Sequence, residues 1–153
     1  MTAKEYLMQL QAIDVKIQEK IEESAALREL VLGRGVSYDG DHVQTSPQNK
    51  QEEVIIKYVY LEQKIDCMID RYLYTKDRII DEIHELSDAR FVKILHDHYV
   101  PDAAHRVRSL EQIAVAMGYS YDSVRHLHGY ALLAFEEKIL ASRHKITQSS
   151  VLL

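Results

Sequence analysis

Between residues 54 and 86 an apolar or aromatic side chain recurs every three or four positions. The series is Val54, Tyr58, Leu61, Ile65, Met68, Tyr72, Ile79, Ile83 and Leu86, with Thr75 as its polar member. Steps of three and four keep side chains on one face of a helix, so the spacing predicts one helix from residue 46 or 48 to residue 86. At 1.5 Å per residue it is on the order of 50 Å long. Such a helix cannot bury its own stripe and needs a partner. Residues 2–32 offer one, with Tyr6, Leu10, Ile13, Ile17, Ser24, Leu27 and Val31 on a matching stripe. Lys20 interrupts that stripe and Ile21 is expected to cover the gap, while Thr2 and Glu5 have capping-box spacing. Gly33 and Gly35 stop the helix, and residues 33–50 read as a polar loop with a turn signal at 38–40. The expected architecture is all-α, with residues 1–86 forming a long antiparallel helical hairpin whose loop is 33–50.

Ile55, Val59, Tyr60, Ile69, Tyr74 and Ile80 widen the apolar face of the second helix beyond a two-stranded seam. That width leans toward a bundle of three or four helices, and so toward a homodimer. Only 5 Gly and 2 Pro in 153 residues agree with long helices rather than short strands. No apolar run reaches the roughly 18 residues of a membrane span, and residues 1–10 lack a signal-peptide layout. The expectation is a cytoplasmic protein with no membrane association. One cysteine, Cys67, excludes an internal disulfide and a multi-cysteine zinc site, and its place near the seam reads as packing.

The net charge of -5 is unevenly spread. Residues 1–100 carry 13 Lys/Arg against 19 Asp/Glu, whereas residues 101–153 carry 6 against 5. The acid lies in the front part, and the C-terminal part is weakly basic.

That C-terminal part has its own pattern. Ser87 or Asp88 caps a third helix over residues 88–100, with Phe91, Ile94, Leu95 and Tyr99 on one side, and Pro101 ends it. In SLEQIAVAMGYSYDSVRHLHGYALL, residues 109–133, Ser109 caps a short helix with Gln112 at the capping-box position. Ala114 is small where two helices cross, Gly118 supplies a positive φ for a sharp turn, and Tyr119 packs in that turn. Ser120 caps the next helix, expected to run to about residue 142. Val124 and Leu127 return to a core shared with Ile113 and Met117. This is the steric pattern of a helix-turn-helix.

The same residues resemble sigma factor region 4, where a helix ending in Tyr precedes S-x-E-E-I-A-x-x-x-G-x-S-x-x-x-V-x-x-x-x-x-x-A-L. The matching positions are Tyr99, Ser109, Glu111, Ile113, Ala114, Gly118, Ser120, Val124, Ala131 and Leu132. Together with AKEYLMQLQAIDVKI and HVQTSPQNK, the chain is similar to the phage sigma factor region 4-like transcriptional regulators. These are related to late-gene activators of phages and prophages of Gram-positive bacteria. The resemblance implies a region 4-like domain over 87–145, a tail over 146–153, and an accessory activator rather than a stand-alone sigma factor. Its implied partners are double-stranded promoter DNA and host RNA polymerase, inside a bacterial host cell. The chain departs from the pattern in the longer spacer PDAAHRVR, in Tyr121 where a basic residue is common, and in Gly129 inside the helix.

In helix-turn-helix docking, the N-terminal part of the second helix enters the major groove. That places Tyr121, Asp122, Arg125 and His126 toward base edges, with His128 or Gly129 farther along. Arg125 leads, because a guanidinium pairs bidentately with guanine, and Asp122 orients it or accepts from a cytosine amine. Ser109, Ser120 and Ser123 are the expected phosphate-bonding hydroxyls, and Arg106, Arg108, Lys138 and Arg143 the expected phosphate-facing cations. If His126 and His128 face DNA, mild acidification should raise affinity. His96/His98 and His126/His128 have an i, i+2 spacing that points rings to different faces, so no metal site is expected. There is no glycine-rich phosphate loop or catalytic triad order, and neither an enzyme nor a cofactor is expected. The alternative is an interaction module that binds RNA polymerase or another regulator without binding DNA.

Overall fold

The computed structural model describes residues 1–33 and 47–143. The expected turn at 38–40, the rest of the loop to residue 46, and the tail 146–153 lie outside the described residues. The described chain is all-helical: α1 is Ala3–Val31, α2 Pro47–His84, α3 Ala89–Tyr99, α4 Leu110–Met117 and α5 Tyr121–Phe135. A π-helical turn, Glu136–Leu140, extends α5. None of the described helices is long and apolar enough to cross a membrane.

Local signals set the helix starts. The Thr2 amide donates to Glu5 Oε2 at 2.7 Å and the Glu5 amide to Thr2 Oγ1 at 3.3 Å, closing the expected box. The bond from the Thr2 amide holds the Glu5 carboxyl below its ordinary pKa. Asp88, rather than Ser87, caps α3 by accepting from the Arg90 amide at 2.9 Å. Gly33 takes a φ of 72° just past α1. Ala131, Phe135 and Ile139 are all buried and four residues apart, so one inward face continues from α5 into the π turn.

The chain divides into two compact units, Ile13–Tyr72 and Met1–Ala12 with Leu73–Leu153. The ends of both long helices thus belong with α3 to α5, and the division does not fall at residue 86. In the unit of residues 13–72, Ile17, Leu61, Ile65 and Tyr72 are buried along the predicted stripes. Its seam also holds polar groups. Ser24 donates to Glu62, Asp14 is buried, and burial together with the Asp14 charge pushes the Tyr72 hydroxyl up in pKa. Ile21 does not cover the gap at Lys20: it is 41% exposed, because the helical rotation carries it off the seam. Cys67 is likewise exposed rather than packed. It lies half a turn from Leu61 and Ile65.

In the other unit, Ile79, Ile83, Ile94, Leu95, Tyr99, Ile113, Val124 and Phe135 are buried, with Leu7 and Leu10 from α1. The Tyr6 and Phe135 rings lie 5.9 Å apart. Tyr6 donates its hydroxyl to buried Glu82 at 2.6 Å, so that polar contact is satisfied inside an apolar setting.

Candidate nucleic-acid interface

α4 and α5 are fixed by their caps and by one small cluster. Ser109 Oγ accepts from the Gln112 amide at 3.2 Å, and Gln112 Oε1 accepts from the Ser109 amide at 3.0 Å. α4 ends at Gly118, whose φ of 71° is left-handed. The Tyr119 amide then reaches back to the Ala114 carbonyl at 3.0 Å and the Gly118 amide to that of Val115 at 3.3 Å. Those two bonds are a Schellman closure, which needs a residue that tolerates positive φ. Ser120 opens α5 by accepting from the Ser123 amide at 3.2 Å. Ile113, Ala114 and Val124 are buried together with Ile94 of α3, flanked by Leu110, Met117 and Leu127. Ala114 is 4% exposed within this cluster. Tyr119 does not pack in the turn: it is 44% exposed, since the Schellman closure uses its amide and leaves the ring outside.

The expected base-reading residues all lie on the exposed start of α5. Tyr121 is exposed, as are Asp122, Arg125 and His126. Arg125 Nη2 stands 3.7 Å from Asp122 Oδ1, a loose pair across one helical turn that fits the orienting role. The His126 Nδ1–H donates to the Asp122 carbonyl at 2.7 Å, which leaves Nε2 as the outward nitrogen. Gly129 shares this face, and a Cβ built on it would meet no atom within 4 Å.

His128 is different. It is half-buried, and its Nε2 and the Tyr99 hydroxyl share a hydrogen bond at 2.9 Å. Burial, with the His98 and Lys4 charges nearby, lowers its pKa from 6.5 to about 4, and burial raises that of Tyr99 to about 12. The ring is therefore neutral at pH 7 and turned into the unit. The acidification expectation is corrected for this residue.

The hydroxyls and cations expected at phosphate separate into two groups. Ser109, Ser120 and Ser123 are exposed at the helix starts, where Ser120 also donates to Ser123 Oγ at 2.8 Å. Arg106 is exposed; its amide donates to Asp102 Oδ1 at 3.0 Å, which shapes the spacer. Arg108 Nη1 instead pairs with Asp97 Oδ2 at 3.3 Å. Lys138 donates to the Glu85 carbonyl, and Arg143 donates to Glu82 while standing 5.1 Å over the Tyr6 ring. Those three cations are held by the fold. Arg125, His126 and the capping serines are thus exposed, whereas Arg108, Lys138 and Arg143 are committed to internal partners.

Two features were not legible beforehand. One is the Tyr99, His98 and His128 stack, whose His98 Nδ1–H donates to the Arg108 carbonyl at 2.8 Å. The other is a cleft of about 290 Å³ bordered by Lys76, His96, Asp97, Pro101, Arg106 and Arg108. Within each i, i+2 pair the rings take different partners, His96 stacking on His84 and His126 bonding the Asp122 carbonyl, while His98 and His128 meet each other. Among the described residues no three His, Cys, Asp or Glu side chains gather as a metal site. No protein-family model, curated protein or solved structure matches this chain.

Proposed function

We propose that this chain is a sequence-specific DNA-binding transcriptional regulator, with α4 and α5 acting as a sigma region 4-like helix-turn-helix. It activates phage late genes as a homodimer, together with RNA polymerase of the bacterial host, in the cytoplasm. The observation that carries the reading is the geometry around Gly118. A left-handed glycine and a Ser120 cap hold α5 on a rigid core, with Tyr121, Asp122, Arg125 and His126 directed outward. A helix start held by its cap and core, with an exposed guanidinium, is what major-groove readout requires. The N-terminal contacts support the expected hairpin. Within residues 13–72, Asp14 acts on Tyr72 and Ser24 bonds Glu62, so ascending α1 meets descending α2.

Binding to a promoter duplex measured by fluorescence anisotropy tests this reading. Arg125→Ala should lower preference for the target by roughly 1–3 kcal/mol, the worth of one bidentate guanine contact. Equal binding to target and random duplex would remove the base-reading role.

One observation favours the second reading, an interaction module for polymerase or another regulator. Arg108, Lys138 and Arg143 are engaged internally, while Val115, Tyr130 and Leu133 on α4 and α5 are 84%, 59% and 60% exposed. Exposed apolar side chains near a cation-poor face suit a protein partner. Capture of polymerase with no DNA affinity at low salt would select it.

A further inference from the structure

Residues 54–61 of α2, VIIKYVYL, are apolar or aromatic on every side of the helix except at Lys57. α1 covers one side, where Leu61 is 5% exposed; Ile56 remains 69%, Tyr60 66% and Val59 48% exposed. A helix segment that is apolar all round is normally covered on more than one face. Ile56, Tyr60, Gln63 and Cys67 follow one another by four, three and four residues, a heptad spacing opposite the buried stripe. All four are exposed.

The charges beside this outer stripe identify its occupant. With Ile56 and Gln63 at d and Tyr60 and Cys67 at a, the e positions are Lys57, Lys64 and Arg71, and the g positions are Glu52, Val59 and Asp66. All six are exposed. In a parallel, in-register pair each g residue meets the e residue five positions on in the other copy. Glu52 then faces the partner's Lys57, and Asp66 faces the partner's Arg71. In an antiparallel pair e meets e and g meets g, setting the three cations against one another and the two carboxylates together. The pattern is complementary to itself in one direction only.

We propose that a second copy of this chain packs parallel and in register along the outer face of α2, through Ile56, Val59, Tyr60 and Cys67. This deepens the homodimer of the reading above, which names no face. The Gln63 pair sets the register as a polar group in the seam, and Asp70 at the next core position ends it. Lys57 gives up only an exposed pair with Glu53, at 3.5 Å, to make the new contact.

Sedimentation equilibrium of the full chain, from micromolar to sub-millimolar concentration, tests it. The wild type should dimerise. Tyr60→Glu should weaken dimerisation about tenfold or more, because it buries a carboxylate against its own copy. Glu52→Lys with Asp66→Lys should also weaken it, and adding Lys57→Glu with Arg71→Glu should restore it. Orientation is read by cysteine oxidation with copper phenanthroline, dioxygen accepting the electrons. Gln63→Cys in a Cys67→Ser background should form a disulfide-linked dimer, since parallel, in-register pairing sets residue 63 beside its own copy, whereas antiparallel pairing of the Ile56 to Cys67 stripe sets it beside Tyr60. A dimer indifferent to Tyr60→Glu, or no disulfide at residue 63, overturns this face while dimerisation stands. A monomer throughout overturns the face and the dimer together. DNA preference at Arg125 is measured separately and is untouched by either result.

Discussion

Lowering the pH should destabilise the unit containing α3 to α5 through one ring, His128. Its pKa is 6.5 when exposed and about 4 in the folded protein, with burial as the first cause and the charges of His98 on α3 and Lys4 on α1 behind it. The unfolded chain therefore binds a proton that the folded chain refuses. The sign follows: stability is fully present above pH 6.5 and falls as pH drops from 6.5 toward 4. A pKa gap of about 2.5 is worth about 3.4 kcal/mol at full strength. The ring is only half-buried, so solvent screening reduces this to roughly 1–2 kcal/mol. Urea unfolding at about pH 7 and about pH 4.5, on the wild type and on His128→Gln, isolates this ring from other titrating groups. The glutamine oxygen can still accept from Tyr99 but does not titrate. The wild type should lose roughly 1–2 kcal/mol more than the variant over that range. Equal losses would refute the assignment of a buried neutral His128.

Other substitutions separate the local causes. Gly118→Ala forces a side chain to a φ of 71° where nothing obstructs the Cβ, so backbone strain alone should cost about 1 kcal/mol in urea unfolding. Gly129→Ala, in open space within α5, should instead stabilise by about 0.5–1 kcal/mol in the same assay, and a loss of stability would contradict the open space around its Cβ. Arg143→Ala leaves buried Glu82 with the Tyr6 hydroxyl and should cost roughly 1–3 kcal/mol by the same assay, with Arg143→Lys losing less. Ser120→Ala removes the α5 cap and should cost about 1 kcal/mol by thermal unfolding.

The periodic stripes were legible because burial acts on every turn. Leu61, Ile65, Tyr72, Ile79 and Ile83 lie where steps of three and four put them. The caps at Thr2, Ser109 and Ser120 and the left-handed Gly118 were legible for a similar reason: each serves a backbone need within a few residues. Contacts across long separations were not. Nothing local to Arg108, Lys138 or Arg143 reveals that Asp97, Glu85 and Glu82 hold them. The i, i+2 spacing of His126 and His128 says that the rings diverge. Which one turns inward depends on Tyr99, 29 residues away from His128. Cys67 posed the opposite problem: it adjoins Met68 of the stripe, yet one residue's rotation of about 100° carries it outside the seam.

The central claim is that α5 reads bases through Arg125, and selection from a randomised duplex library measures it directly. The wild-type chain should enrich a motif containing a fixed guanine. Arg125→Ala should lose preference at that position while keeping its helical content and its weak general affinity. A library that emerges unenriched, or an Arg125→Ala protein that selects the same motif, would contradict the account.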